Sequence, residues 1–207
     1  MNLTRHTLGE FLAAIRDPRP TPGGGSAAAV AGALGTSLLA MVGAMPKHRA
    51  ASEEDVERLQ AAASRCHALA ERLEALVDED SEAYEGVIAA YRLPKGTDED
   101  RLRRKQAIQV ALGTAIAAPL DVMRCCTDAI EAASTVARFG NPNAASDVGV
   151  ALELLVAAER GARLNVLINL SSVDDGAELE RIGEIVRTLA AECRNGSEAA
   201  RALLESG

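Results

Sequence analysis

The chain has 207 residues, 48% of them hydrophobic but only 2% aromatic, with no tryptophan and a formal net charge of −8. That length fits one domain spanning residues 1–207, and a core of Ala, Leu, Val and Ile suits close helix packing better than a sheet. The acidic balance excludes non-specific nucleic-acid binding, which needs a basic face to neutralise phosphates.

The N-terminal stretch carries Arg5, His6 and Glu10, too polar for the apolar run of a signal peptide. Thr7-Leu-Gly-Glu10 reads as a capping box opening a short helix that stops at Asp17-Pro18. The turn Pro20-Thr-Pro-Gly-Gly-Gly-Ser26 follows, with Ser26 expected to cap a helix reaching about Met45, where Pro46 ends it. Residues 26–46 carry no charge and are long enough to span a bilayer. Their Ala/Gly composition gives little drive into lipid, so the expectation is a helix buried within the protein and no membrane partner. Ala28, Gly32, Thr36 and Ala40 form a small-residue ridge suited to close packing.

Ser52-Glu-Glu-Asp55 predicts the start of a helix with no breaker until Leu93-Pro94. Thr97-Asp-Glu-Asp100 caps the next, with Pro119 expected to kink it or to begin a new helix. Gly140-Asn-Pro-Asn143 leads into a helix from about Ala144 to Ser172. Asp174-Asp-Gly176 separates that from a helix ending near Asn195-Gly196, with a short C-terminal helix beyond. No segment alternates with period two, so the fold class is all-α, a multihelical array of long and short helices.

The long third helix holds an anomaly. Val56, Leu59, Ala63, Cys66, Ala70, Leu73, Val77, Asp80, Tyr84, Val87 and Tyr91 recur at alternating intervals of three and four, an apolar seam with one charge on it. Asp80 there either pairs with a buried arginine or is a desolvated carboxylate whose pKa rises toward the working pH of a general base.

The glycine turn Gly23-Gly-Gly25 admits close approach to the backbone, and the helix start behind it offers free amides. It matches neither common phosphate loop, since the lysine and the preceding strand are missing. Asn141, Asn143, Ser146 and Asp147 gather polar groups at a second helix start. Asn165 and Asn169 share a face with Gly161, to bond either a neighbouring helix or the polar edge of a flat heterocycle such as a pterin. Lys47-His-Arg49 is the nearest positive charge after the Ala/Gly helix. The four cysteines form no CxxC pair, so they are expected to be reduced core residues of a cytoplasmic protein, with no metal site.

Six stretches carry a resemblance: Pro20–Ala29, Asp80-Ser-Glu-Ala-Tyr84, Leu93-Pro-Lys95, Ala118-Pro-Leu120, Gly140–Asp147 and Asn165-Val-Leu-Ile-Asn169. In them the chain resembles the cyclodeaminase/cyclohydrolase family, which comprises the C-terminal domain of formiminotransferase-cyclodeaminase and stand-alone bacterial methenyltetrahydrofolate cyclohydrolases. The resemblance implies an all-helical homodimer that takes a tetrahydrofolate derivative as substrate, needs no cofactor, and uses the aspartate matching Asp80 as catalytic acid/base. Residue reading and resemblance together nominate Gly23, Gly24, Gly25, Ser26, Lys47, Tyr84, Asn141, Asn143, Ser146, Asp147, Asn165 and Asn169 for substrate binding. Where the family usually has Gly-Lys-Lys-aromatic, this chain reads Met45-Pro-Lys-His-Arg49.

Two reactions are implied. A cyclohydrolase adds water to the methenyl carbon of methenyltetrahydrofolate and opens the ring to formyltetrahydrofolate; a cyclodeaminase closes formiminotetrahydrofolate and expels ammonia. Both pass through a tetrahedral carbon between two nitrogens, and the stand-alone length favours the first. A helical dimer that binds folate without catalysis is the alternative from another class.

Overall fold

The computed structural model describes residues 3–205. Six α-helices account for most of it: α1 (Leu8–Arg16), α2 (Gly24–Ala44), α3 (Glu53–Tyr91), α4 (Asp98–Phe139), α5 (Ala145–Leu170) and α6 (Gly176–Glu205). Short 3₁₀ turns lie at Leu3–Arg5 and Pro142–Ala144, and no strand occurs among the described residues. Local chemistry sets several starts. Thr7 and Glu10 close a capping box on α1, Thr97 and Asp100 close one on α4, and the Ser52 hydroxyl accepts from the Asp55 amide at the head of α3.

Helix α2 is packed against α3, α4 and α5, which explains its composition. A Cβ on Gly43 would stand 2.9 Å from the Ala63 Cβ, and one on Gly35 would stand 2.9 Å from Leu155 Cγ. Side chains of ordinary size would push these helices apart and cost core packing. Of the small-residue ridge, Ala28, Gly32 and Thr36 are buried, and Thr36 satisfies its hydroxyl on the Gly32 carbonyl at 2.7 Å. The facing pairs Gly25–Asp80, Gly32–Leu73 and Gly43–Ala63 make α2 antiparallel to α3, and Gly24–Asn165 with Gly35–Ala151 make it antiparallel to α5. By length and composition α2 and α4 could each cross a bilayer; half of the apolar window in α2 is buried inside the fold.

Three expectations are corrected. Ser26 does not cap α2: Gly23 occupies the cap and the helix begins at Gly24, so Ser26 is three residues in, with its hydroxyl turned toward α3. Pro119 does not begin a new helix, because α4 runs through it from Asp98 to Phe139. A proline leaves the carbonyl four residues earlier without its helical donor. Here that carbonyl, on Ala115, accepts from Asn169 Nδ2 at 3.0 Å, so α5 repairs the break in α4. Gly196 likewise lies inside an uninterrupted α6, where a Cβ would come within 2.9 Å of Ile130 Cγ2 on α4. It is a close-contact residue, not a terminator.

The seam of α3 is buried at Leu59, Cys66, Leu73 and Val77 and then rotates. Tyr84 and Tyr91 emerge at the surface, while Ala83, Val87 and Ala90 turn inward against Ile108, Leu112 and Ala115 of α4. Asp80 lies where the seam leaves the main core. All four cysteines are free and buried.

Candidate active site

Asp80 is half-buried on α3, directly against the first turn of α2. A Cβ at residue 25 would fall 2.0 Å from Asp80 Oδ1 and 2.6 Å from Oδ2, so the carboxylate occupies the space that glycine leaves. The Ser26 hydroxyl lies 3.0 Å from Asp80 Oδ2, 3.1 Å from the Val77 carbonyl and 3.1 Å from the Ser81 hydroxyl. A hydroxyl has one proton to give and can also accept. Ser81 donating to Ser26, and Ser26 donating to Asp80, satisfies the chain of three.

No ion pair involves Asp80 among the described residues, and its hydrogen-bonding partner is a serine where the sequence left open a buried arginine. Burial pushes its carboxyl above the ordinary value of 3.8, and the Ser26 hydroxyl and backbone amide hold it part of the way back. Desolvation without a counter-ion is the usual means of raising a carboxylate toward the range of a working base. The α2 start contributes free amides and the positive end of a helix dipole beside it.

Around this centre the structure gathers part of the nominated set. Gly24 faces the side-chain amide of Asn165, whose Nδ2 would be 3.8 Å from an added Cβ and which donates to the Gly161 carbonyl at 2.9 Å. Tyr84 follows Asp80 by one helical turn and is 39% exposed. Gly23 is the cap residue of α2 itself. Asn169 is one turn beyond Asn165 but is engaged with Ala115, the helix–helix role that its spacing allowed.

The remaining nominees lie at the opposite end of α2. Asn141 Nδ2 donates to the Pro46 carbonyl at 2.7 Å, its Oδ1 accepts from the Asn143 amide at 2.9 Å, and the Arg49 amide reaches the Phe139 carbonyl at 2.8 Å. Lys47, Asn141, Asn143, Ser146 and Asp147 thus surround the end of α2 and the start of α5, and within one chain they do not meet Asp80.

Two buried polar residues escaped the sequence reading. Ser81 is fully buried beside Ser26 but lies off the α3 seam. Glu159 is 3% exposed, and its Oε1 has no hydrogen-bonding partner among the described residues. It borders a cleft of about 370 Å³ between α5 and α6 that is also lined by Arg160, Arg163, Arg194 and Arg201. Burial raises its carboxyl, with Arg163 and Arg160 pulling it back. Leu152, Leu155, Glu159, Ala162 and Val166 repeat at three and four, so the seam test that isolated Asp80 would have found Glu159 on α5.

The protein is thus an all-α array that sets a desolvated carboxylate against a glycine-walled helix start. The formiminotransferase-cyclodeaminase family matches residues 7–188, and the chain belongs to that family. A relative in Methylorubrum extorquens named methenyltetrahydrofolate cyclohydrolase is 39% identical over 185 residues, 89% of each chain. The chicken formimidoyltransferase-cyclodeaminase is 34% identical over 98% of this chain, which spans 38% of that longer protein. The crystal structure of a formiminotetrahydrofolate cyclodeaminase from Thermotoga maritima superposes with a TM-score of 0.86 at 28% identity, over 98% of this chain and 97% of that one.

Proposed function

We propose that the chain is a methenyltetrahydrofolate cyclohydrolase that works as a homodimer without a cofactor, with Asp80 as its general acid/base. The observation that carries the role of Asp80 is its position: half-buried, in no ion pair among the described residues, and held by Ser26 against the wall formed by Gly25. The Methylorubrum relative, matched over 89% of both chains, supports the reaction.

In this reading the Asp80 carboxylate takes a proton from water as the water oxygen bonds to the methenyl carbon of the cationic substrate. The neutral tetrahedral carbon then collapses. Asp80 returns its proton to the departing ring nitrogen, the carbon–nitrogen bond breaks, and the remaining hydroxyl proton passes to solvent as the formyl carbonyl forms. A carboxylate of raised pKa suits both halves of the cycle, since a base too weak cannot accept and an acid too weak cannot return the proton. Gly24 and Gly25 leave the α2 amides approachable, and Asn165 presents a polar edge beside them.

The second reaction, closure of formiminotetrahydrofolate with loss of ammonia, has its own support in the Thermotoga neighbour. The deciding experiment supplies purified protein with methenyltetrahydrofolate and, separately, with formiminotetrahydrofolate. Loss of the methenyl near-ultraviolet band well above the spontaneous rate, without ammonia release from the second substrate, supports the cyclohydrolase. Ammonia release with no methenyl hydrolysis assigns the deaminase instead. Turnover of neither, with folate raising the melting temperature, leaves a binding protein.

A further inference from the structure

Helices α5 and α6 border a cleft of about 370 Å³. Arg160 and Arg163 on α5 are three residues apart, and Arg194, Ser197 and Arg201 on α6 are spaced three and four. That spacing puts each set on one face of its helix, so two separate stretches of sequence bring guanidiniums to one space. The Asp80 site is elsewhere. Gly161 and Asn165 of α5 turn to α2, and neither lines this cleft.

The charges of the cleft do not balance. Four arginines line it against three glutamates, in a chain whose net charge is −8. Arg201 is engaged by Glu153 at 2.8 Å. Arg160, Arg163 and Arg194 make no side-chain hydrogen bond or ion pair among the described residues. Uncommitted guanidiniums held side by side repel one another unless an anion joins them, and their planar forks suit an oxyanion.

Two buried atoms narrow the choice of anion. Arg163 Nε, a donor, and Glu159 Oε1, an acceptor, both lack a hydrogen-bonding partner among the described residues, although Glu159 is only 3% exposed. Buried polar groups left in that state are costly. Ser197 cannot serve Glu159, because its one proton goes to the Arg194 carbonyl at 2.9 Å. A water would satisfy one donor and one acceptor but leave the guanidinium charge uncompensated. A fully ionised oxyanion such as sulfate answers the arginines and repels Glu159. An oxyanion that keeps a proton answers both, since its oxygens accept from the arginines and its hydroxyl donates to the carboxylate.

We propose that the α5–α6 cleft binds hydrogen phosphate, with Arg160, Arg163 and Arg194 donating to the phosphoryl oxygens and Glu159 accepting from the P–OH group. A phosphate monoester fits less well. It loses its last proton with a pKa of about 6 and above that is as proton-free as sulfate. The site is independent of the folate reading, and its test needs no turnover.

The test is calorimetric titration of the full chain at pH 8, in a phosphate-free buffer, with sodium phosphate, sodium sulfate, methyl phosphate and glycine in turn. Phosphate should bind about 10-fold or more tightly than sulfate or methyl phosphate, the scale of one charge-assisted hydrogen bond. Arg163→Met and Arg194→Met, each checked for native helicity by circular dichroism, should weaken phosphate by a similar factor. Glu159→Gln replaces an acceptor-only carboxylate with a neutral amide that can donate, so it should bring sulfate level with phosphate. The wild-type comparison decides alone if that variant does not fold. Absence of phosphate binding overturns the proposal, as does equal affinity of the wild-type chain for phosphate and sulfate. Phosphate affinity unchanged in both arginine variants does the same. Tighter binding of glycine, whose ammonium offers Glu159 the same donor, overturns phosphate as the ligand.

Discussion

Gly25 and Asp80 compete for one volume: the Asp80 Oδ1 atom stands 2.0 Å from where a Cβ on residue 25 would be. Asp80 is short and tied to Ser26, so it cannot yield a few tenths of an ångström and keep that bond. Alanine favours helix over glycine by about 1 kcal/mol, so helix propensity alone would make Gly25→Ala stabilising. The geometry gives a different outcome. Gly25→Ala should expel the carboxylate from its seat and lower kcat by about 100-fold, the scale of a lost acid/base contact, while circular dichroism stays native. Retained activity would remove Gly25 from the site.

Asp80→Asn separates chemistry from stability. An amide cannot accept the water proton, so turnover should fall by about 100-fold or more. The folded-state pKa of Asp80 is raised, so the folded chain holds that proton more tightly than the unfolded chain. Stability therefore declines as pH rises from about 3.8, the unfolded value, through the raised one. Asn is neutral throughout and escapes that loss, so the inactive variant should melt above wild type at pH 7. A lower melting temperature would mean that the charge stabilises the fold.

Ser26→Ala tests the hydrogen bond itself. The Ser26 hydroxyl draws the Asp80 pKa down against burial, so removing it lets the pKa rise further. The acid limb of the kcat/KM profile, where activity is lost by protonating Asp80, should shift to higher pH. The backbone amide of residue 26 remains, which bounds the shift. An unchanged limb would mean that another group titrates there.

These three residues also mark how far the sequence could be read. Asp80 was legible because a charge on an otherwise apolar three–four seam is conspicuous whatever surrounds it. Ser26 was misread because a serine ahead of an apolar helix is a capping signal in sequence, and only α3, more than fifty residues away, shows that its hydroxyl points elsewhere. Of the two readings of Pro119, the new helix fails for a similar reason: the compensation comes from Asn169 on another helix, and no local pattern encodes that repair. The helix content, the caps of α1, α3 and α4, and the tight packing of α2 were all local properties. The end of α2 on which the Gly140 turn would fall was set by how the helices fold back on one another, which no single segment specifies.

Glu159 offers a test of burial free of the proposed chemistry. It sits 3% exposed with an unpartnered Oε1, and burial is the leading cause of its raised pKa. The sign follows as for Asp80: the folded chain binds the Glu159 proton more tightly, so stability is lost as pH rises from the unfolded value, 4.5. Glu159→Gln keeps the shape and removes the charge. It should melt above wild type at pH 7–8, and the two curves should converge below about pH 4.5, where Glu159 is protonated in both folded and unfolded chains. Arg160 and Arg163 oppose this by attracting the carboxylate. If their attraction outweighs desolvation, Gln will melt lower at neutral pH, and the cleft between α5 and α6 is held by charge. Thermal melts at half-unit steps from pH 4 to 8 separate the two, because the difference between the chains has opposite sign in each case.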